Sequence, residues 1–264
     1  MQFENSLPIV LAVFLPTLAL MFTFVHHARI QRGQRIPPFR PLPGLNEFQT
    51  SLGRVAESGR PVHVATGASE PGALGPTAPA LASLLLAQRV AENTVRRGGT
   101  VIISAGDLPS YAGARGAVRQ AYNQTGFATE YRPDAIRLVA HQTPIAYAAG
   151  VAARYAEQPL AASLVAGEYG AEALLIGAEG AVRNVPQIGA AATINGAAVL
   201  ALTSDALLIG EELFAAEAYL AQQPTPRARL LTQDVLRLAV IGILLAGILY
   251  ELARVVVAPD LPPL

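Results

Sequence analysis

The chain has 264 residues, a formal net charge of +0, 52% hydrophobic and 14% charged residues, and a mean hydropathy of +0.37. That balance gives no electrostatic pull toward nucleic acid, and it is too apolar for an ordinary soluble domain yet too mixed for a polytopic membrane protein. Cysteine is absent and all 19 Lys+Arg residues are Arg, which excludes disulfides, thiolate metal sites, Cys nucleophiles, Walker A loops, Schiff bases and Ser-Lys dyads.

In chain order, Leu7–Val25 (LPIVLAVFLPTLALMFTFV) comes first and carries no charge. At about 1.5 Å per residue it nearly spans a hydrocarbon core of about 30 Å. Only Glu4 precedes it, whereas His26, His27, Arg29, Arg32, Arg35 and Arg40 follow. The positive-inside rule then predicts an outside N-terminus and a cytoplasmic continuation. The run has neither a basic n-region nor a small-residue cleavage site, so it reads as a retained anchor over 1–28. Residues 29–59 read as a basic, Pro-rich linker, with Ile36–Gly44 (IPPFRPLPG) an extended, semi-rigid spacer.

From 60 to 223 the pattern alternates between strands and helices. Strands are predicted at Pro61–Thr66, Thr100–Ser104, Ile136–Ala140 and Val199–Thr203. Helices are predicted at Ala78–Arg97, ended by Gly98-Gly99, at Tyr111–Thr125, and from Pro144 to Glu157, where Pro suits the first turn. Ala161–Ala166 and Leu174–Gly177 fit either a strand or a buried helix. Ser204 or Asp205 is expected to cap a helix running to Leu220. Continuous apolar strands alternating with helices imply a Rossmann-like α/β fold, a doubly wound and mostly parallel sheet covered on both faces. Residues 224–264 read as a C-terminal transmembrane helix and tail. There Arg227, Arg229 and Arg237 precede the uncharged run Leu238–Tyr250. The basic flank again marks the inner side, so the protein is expected to be two-pass in the cell membrane, with a cytoplasmic domain and both termini outside.

In open α/β sheets ligands gather beyond the carboxyl ends of the strands. Ser104, Asp107, His141, Gly167 and Glu168 stand at such ends and are the expected ligand-binding residues. His141 is a better general-base candidate than His63, which sits inside an apolar strand. No G-x-S-x-G elbow supports a Ser104–His141–Asp107 set, so no catalytic residue is assigned. No metal spacing and no G-x-G-x-x-G opening a helix is present, so no cofactor is expected. Glu168, Glu172 and Glu179 lie in the apolar stretch GEYGAEALLIGAEG. Carboxylates there need partners, and Glu172 with Arg183 is the expected interface pair.

The strings SAGDLPSYAGARGAVRQAY (Ser104–Tyr122), GEYGAEALLIG (Gly167–Gly177) and IGEELFAAEAYL (Ile209–Leu220) resemble an uncharacterised family of bacterial and archaeal membrane proteins, known only as a domain of unknown function. The resemblance runs from about Arg60 through the second membrane segment. It implies a membrane-anchored α/β domain and supplies no activity, cofactor or catalytic residue. The expected role is a non-catalytic assembly or scaffold subunit, partnered with the bilayer and with copies of itself or a larger membrane complex, that also offers a small-ligand site. The alternatives are a membrane-bound hydrolase of a small or lipid-derived substrate and a small-molecule sensor.

Overall fold

The computed structural model describes residues 7–256, apart from 36, 54, 69–76, 142 and 222 and the side chains of 7–11, 56 and 253–256. It divides into two units, Phe39–Leu220 and the terminal segments Met1–Pro38 with Ala221–Leu264.

The first unit is built on six strands: β1 (Val62–Ala65), β2 (Val101–Ala105), β3 (Ile136–Leu138), β4 (Ala162–Gly167), β5 (Gln187–Ala191) and β6 (Ala206–Ile209). They pair in the order β3-β2-β1-β4-β5-β6, and every pairing is parallel. The expected parallel α/β fold is therefore present, and the strand order reverses between β1 and β4. Alternation along the strands sends two apolar sets to opposite faces. Val62, Val64, Val101, Ile103 and Leu164 join a core with α2 (Pro43–Gly53), α4 (Thr77–Arg96), α5 (Leu108–Thr125) and α9 (Glu211–Leu220). Ala65, Ile102 and Val165 join a second core with α6 (Pro144–Glu157), α7 (Ala173–Val182) and α8 (Ile194–Thr203).

Local chemistry sets the helix ends. Asp107 caps α5 by accepting the Ser110 N–H at 2.6 Å, and Gly126 ends it at φ 87°. Thr193 caps α8 by accepting the Gly196 N–H at 3.1 Å.

Three expectations change. The 29–59 stretch is divided, because α2 and the short α3 (Val55–Ser58) fold onto the first core through Leu45, Phe48, Leu52 and Val55. Gly44 lies inside α2, where a Cβ would stand 2.8 Å from Ala206 Cβ. Val199–Thr203, expected as a strand, is the second half of α8. A short apolar run fits either state, and the Thr193 cap decides it. Asp205 caps no helix; its Oδ2 accepts the Gln187 N–H at 2.7 Å and joins the start of β6 to β5.

In the terminal unit, α1 (Leu7–Gln31) and α10 (Pro224–Val256) pack along one another. Polar contacts line this seam. Thr23 donates to Thr232 Oγ at 3.1 Å, His26 Nδ1 meets the same hydroxyl at 3.4 Å, and His27 Nδ1 meets Thr225 Oγ at 3.3 Å. Both helices are long and apolar enough to cross a membrane, over Ala12–Gln31 and Pro224–Leu252. Phe24 and Ile243 are over 70% exposed, as lipid-facing side chains would be. The second helix begins before Leu238, so Arg227, Arg229 and Arg237 lie on it.

Candidate functional site

The reversal of strand order opens a crevice outside the carboxyl ends of β1 and β4, where doubly wound sheets hold ligands. Its volume is about 470 Å³, and its walls include Ala68, Glu168, Gly170, Glu172, Thr193 and Asn195. Two glycines let the chain turn here. Gly67 has φ 83°, and Gly167 has φ 140° with a Cβ that would stand 2.7 Å from Thr66 O. Only glycine tolerates that close backbone approach. Glu172 accepts the Gly170 N–H at 2.7 Å, and the Thr193 hydroxyl donates to Tyr169 O at 2.5 Å. The lining presents two carboxylates, a hydroxyl and an amide, and no cationic side chain among the described residues. It suits a small ligand that donates hydrogen bonds from hydroxyls or an amine.

Beneath the crevice, on the α6 face of the sheet, a buried polar ladder crosses three strands. His63 (β1) meets Ser163 Oγ (β4) through Nδ1 at 3.0 Å and Ser104 Oγ (β2) through Nε2 at 2.9 Å. One ring nitrogen donates and the other accepts. The Tyr155 hydroxyl shares a hydrogen bond with Ser163 at 2.5 Å, and the Tyr155 ring meets the imidazole edge-on at 5.2 Å. Tyr147 donates to Ser104 O at 2.9 Å and accepts the Gly67 N–H at 3.2 Å, which ties the ladder to the β1 turn. Burial, reinforced by the Arg154 charge, pushes the His63 imidazole down to about 3, so it is neutral. Burial raises the Tyr147, Tyr155 and Tyr169 phenols, so all three stay protonated.

The five expected ligand residues take different positions around the carboxyl end of the sheet. Glu168 lines the crevice. Gly167 adjoins it, with its Cβ position filled by the Thr66 backbone. Ser104 has no exposed surface, and its hydroxyl is engaged by His63. Asp107 is fully buried as the α5 cap, and its Oδ2 has no partner among the described residues. His141 is exposed beyond β3, and its carbonyl accepts the Thr143 hydroxyl. Ser69, in the turn after β1, lies outside the described residues. Of the expected interface pair, Glu172 lines the crevice, while Arg183 pairs with Glu179 one helical turn away. Thr193 and Asn195 were not anticipated from sequence. The string Thr193-Ile-Asn-Gly, a capping residue opening an apolar run, is the signal that marks them.

Among the described residues no three His, Asp or Glu side chains converge as a metal set. The chain matches a family model over residues 2–261 and belongs to that family, described as Domain of unknown function (DUF6754). No curated protein and no solved structure matches it.

Proposed function

We propose that this protein is a membrane-anchored, non-catalytic assembly subunit whose α/β unit binds a small hydroxyl- or amine-bearing ligand in the switch-point crevice. The observation that carries this reading is the outer surface of α7 and α8. Helices covering a sheet in water normally present charge to solvent. Here Val182, Ile194 and Leu202 are 76%, 88% and 82% exposed, with Leu174 and Leu175 beside them in the same pair of helices. An exposed apolar patch of this kind marks a protein contact. Glu172 at the start of α7 and Thr193 at the start of α8 also line the crevice, so ligand site and contact surface share two helices. The Arg-rich flanks of both apolar helices support a cytoplasmic domain.

The test is the mass of the full chain in lipid nanodiscs by native mass spectrometry. The wild type is expected as an oligomer or with a co-purifying protein, and a Val182→Glu, Leu202→Glu double variant as a folded monomer. A monomeric wild type with no co-purifying protein refutes the reading.

A further inference from the structure

A second cleft lies at the opposite end of the sheet, beneath the amino ends of β1 and β2. Its volume is about 750 Å³, and Pro61, Thr100 and Val101 form part of its wall. That size falls within the range of small-molecule sites, about 300–1,000 Å³. Arg154, in the last turn of α6, lines it together with Gln158 just past the helix end.

Arg154 is only 5% exposed, and its Nε and Nη1 are buried without a hydrogen-bond partner among the described residues. A guanidinium keeps its proton in proteins and has donors only. The structure therefore holds a buried cation in the wall of an open cleft, with two of its nitrogens lacking an acceptor among the described residues. Burying such a charge unpaired is strongly unfavourable.

The neighbouring charges do not resolve this. Arg137 lines the same cleft and repels Arg154, while Glu157 attracts Arg154 but is itself engaged with Arg137 at 3.2 Å. Glu130, Asp134 and Arg132 also line the cleft, and all three are exposed to solvent. The cleft thus presents three cations against two carboxylates, and the buried member is a cation. The carbonyl dipole at the α6 C-terminus offsets part of that charge and fills none of the donor positions.

We propose that this cleft binds a small anion bearing a carboxylate or phosphate group, whose charge pairs with the Arg154 guanidinium in the cleft wall. Thr100 and Gln158 add polar groups to the same wall, so the ligand is an oxyanion rather than a bare halide. This site is separate from the switch-point crevice and does not depend on it.

The experiment is thermal unfolding and titration calorimetry of the full chain in dodecyl maltoside, an uncharged detergent, with citrate, succinate and phosphate against chloride at constant ionic strength. The wild type is expected to bind at least one of the three saturably and to melt higher with it. Arg154→Met, which removes the buried charge and keeps the volume, is expected to weaken that binding about tenfold or more. Arg119→Ala, outside the cleft, is expected to bind like the wild type. A parallel titration with short-chain phosphatidic acid separates a lipid headgroup from a free anion as the source. The wild-type calorimetry decides even if Arg154→Met does not fold. Absence of saturable binding by any of these anions overturns the proposal, as does equal binding by wild type and a folded Arg154→Met.

Discussion

His63 supplies a sharp test of the ladder beneath the crevice. Its imidazole is fully buried between Ser104 and Ser163 and titrates near 3, against an ordinary value of 6.5. The folded pKa lies below the unfolded one, so the unfolded chain takes up a proton first. Stability is complete above pH 6.5 and falls as pH drops from there to about 3. At about 1.4 kcal/mol per pH unit, the loss between pH 7 and pH 5 is about 2 kcal/mol from this residue alone. The assay is urea unfolding of the full chain in dodecyl maltoside, followed by tyrosine fluorescence, since the chain has 8 Tyr and no Trp. His63→Gln keeps a polar side chain and removes the titration. At pH 7 it is expected to cost about 1–3 kcal/mol through imperfect pairing of the two serine hydroxyls. Below pH 6.5 its stability curve should be flatter than that of the wild type, and the two should converge toward pH 5. His26, His27 and His141 are common to both proteins and cancel in the comparison. Parallel curves would refute the argument, because they would mean that the imidazole reaches water and titrates normally.

Two further predictions concern the other buried charges and the orientation. Arg89, on α4, is buried and pairs with Glu92 at 2.9 Å and with Glu217 of α9 at 3.0 Å. Burial opposes its charge, and the two carboxylates more than offset that. Arg89→Ala removes the cation held between the two buried acids and is expected to cost about 3–5 kcal/mol in the same unfolding assay; a loss below about 1 kcal/mol would refute the assignment of Arg89 as their main counter-charge. For orientation, a reporter active only in the cytoplasm and fused within the loop after Leu220 should be active, and protease outside intact cells should spare 60–220. External cleavage there would reverse the assignment.

The fold was legible where the sequence carries its own punctuation. The Pro144–Glu157 helix has Pro in its first turn and an apolar stripe through Tyr147, Val151 and Tyr155, and the observed bounds match the expectation. The first three strands are Val- and Ile-rich, and the sheet pattern shows in them directly. Legibility fails at β5 (QIGAA), because Gly and Ala have low strand propensity. Tertiary packing explains their use. A Cβ at Gly189 would stand 2.8 Å from Leu200 Cβ, so the small residue lets α8 lie close against the sheet. The apolar run VLALT beside it suggests a strand in sequence and is instead the second half of α8. The segment 43–58 was hidden for another reason: the Pro-rich run before it masked an amphipathic pattern of Leu45, Phe48 and Leu52.

The sites divide along the same line, between what one segment reveals and what pairing creates. The place of Glu168 in the crevice wall is legible because a strand end is visible in one segment, and the rule about strand ends needs nothing more. Ser104 stood at an equally good strand end, yet its hydroxyl is consumed by His63, 41 residues away, and His63 is held in turn by Ser163, 100 residues away. Only the parallel register, which sets His63 opposite Ser163 and Ser104 two residues beyond Ile102, brings them together. Arg154 lies between these cases. It falls three residues after Val151 and seven after Tyr147, on the buried stripe of its helix, so the sequence already placed a cation on an apolar face. What the sequence could not supply is the cleft beside it, because Thr100 and Pro61 reach that end of the sheet only through the order β2-β1-β4. A charge on an apolar stripe is thus a question that the sequence poses, and the strand order determines whether its answer is an internal ion pair or an open site.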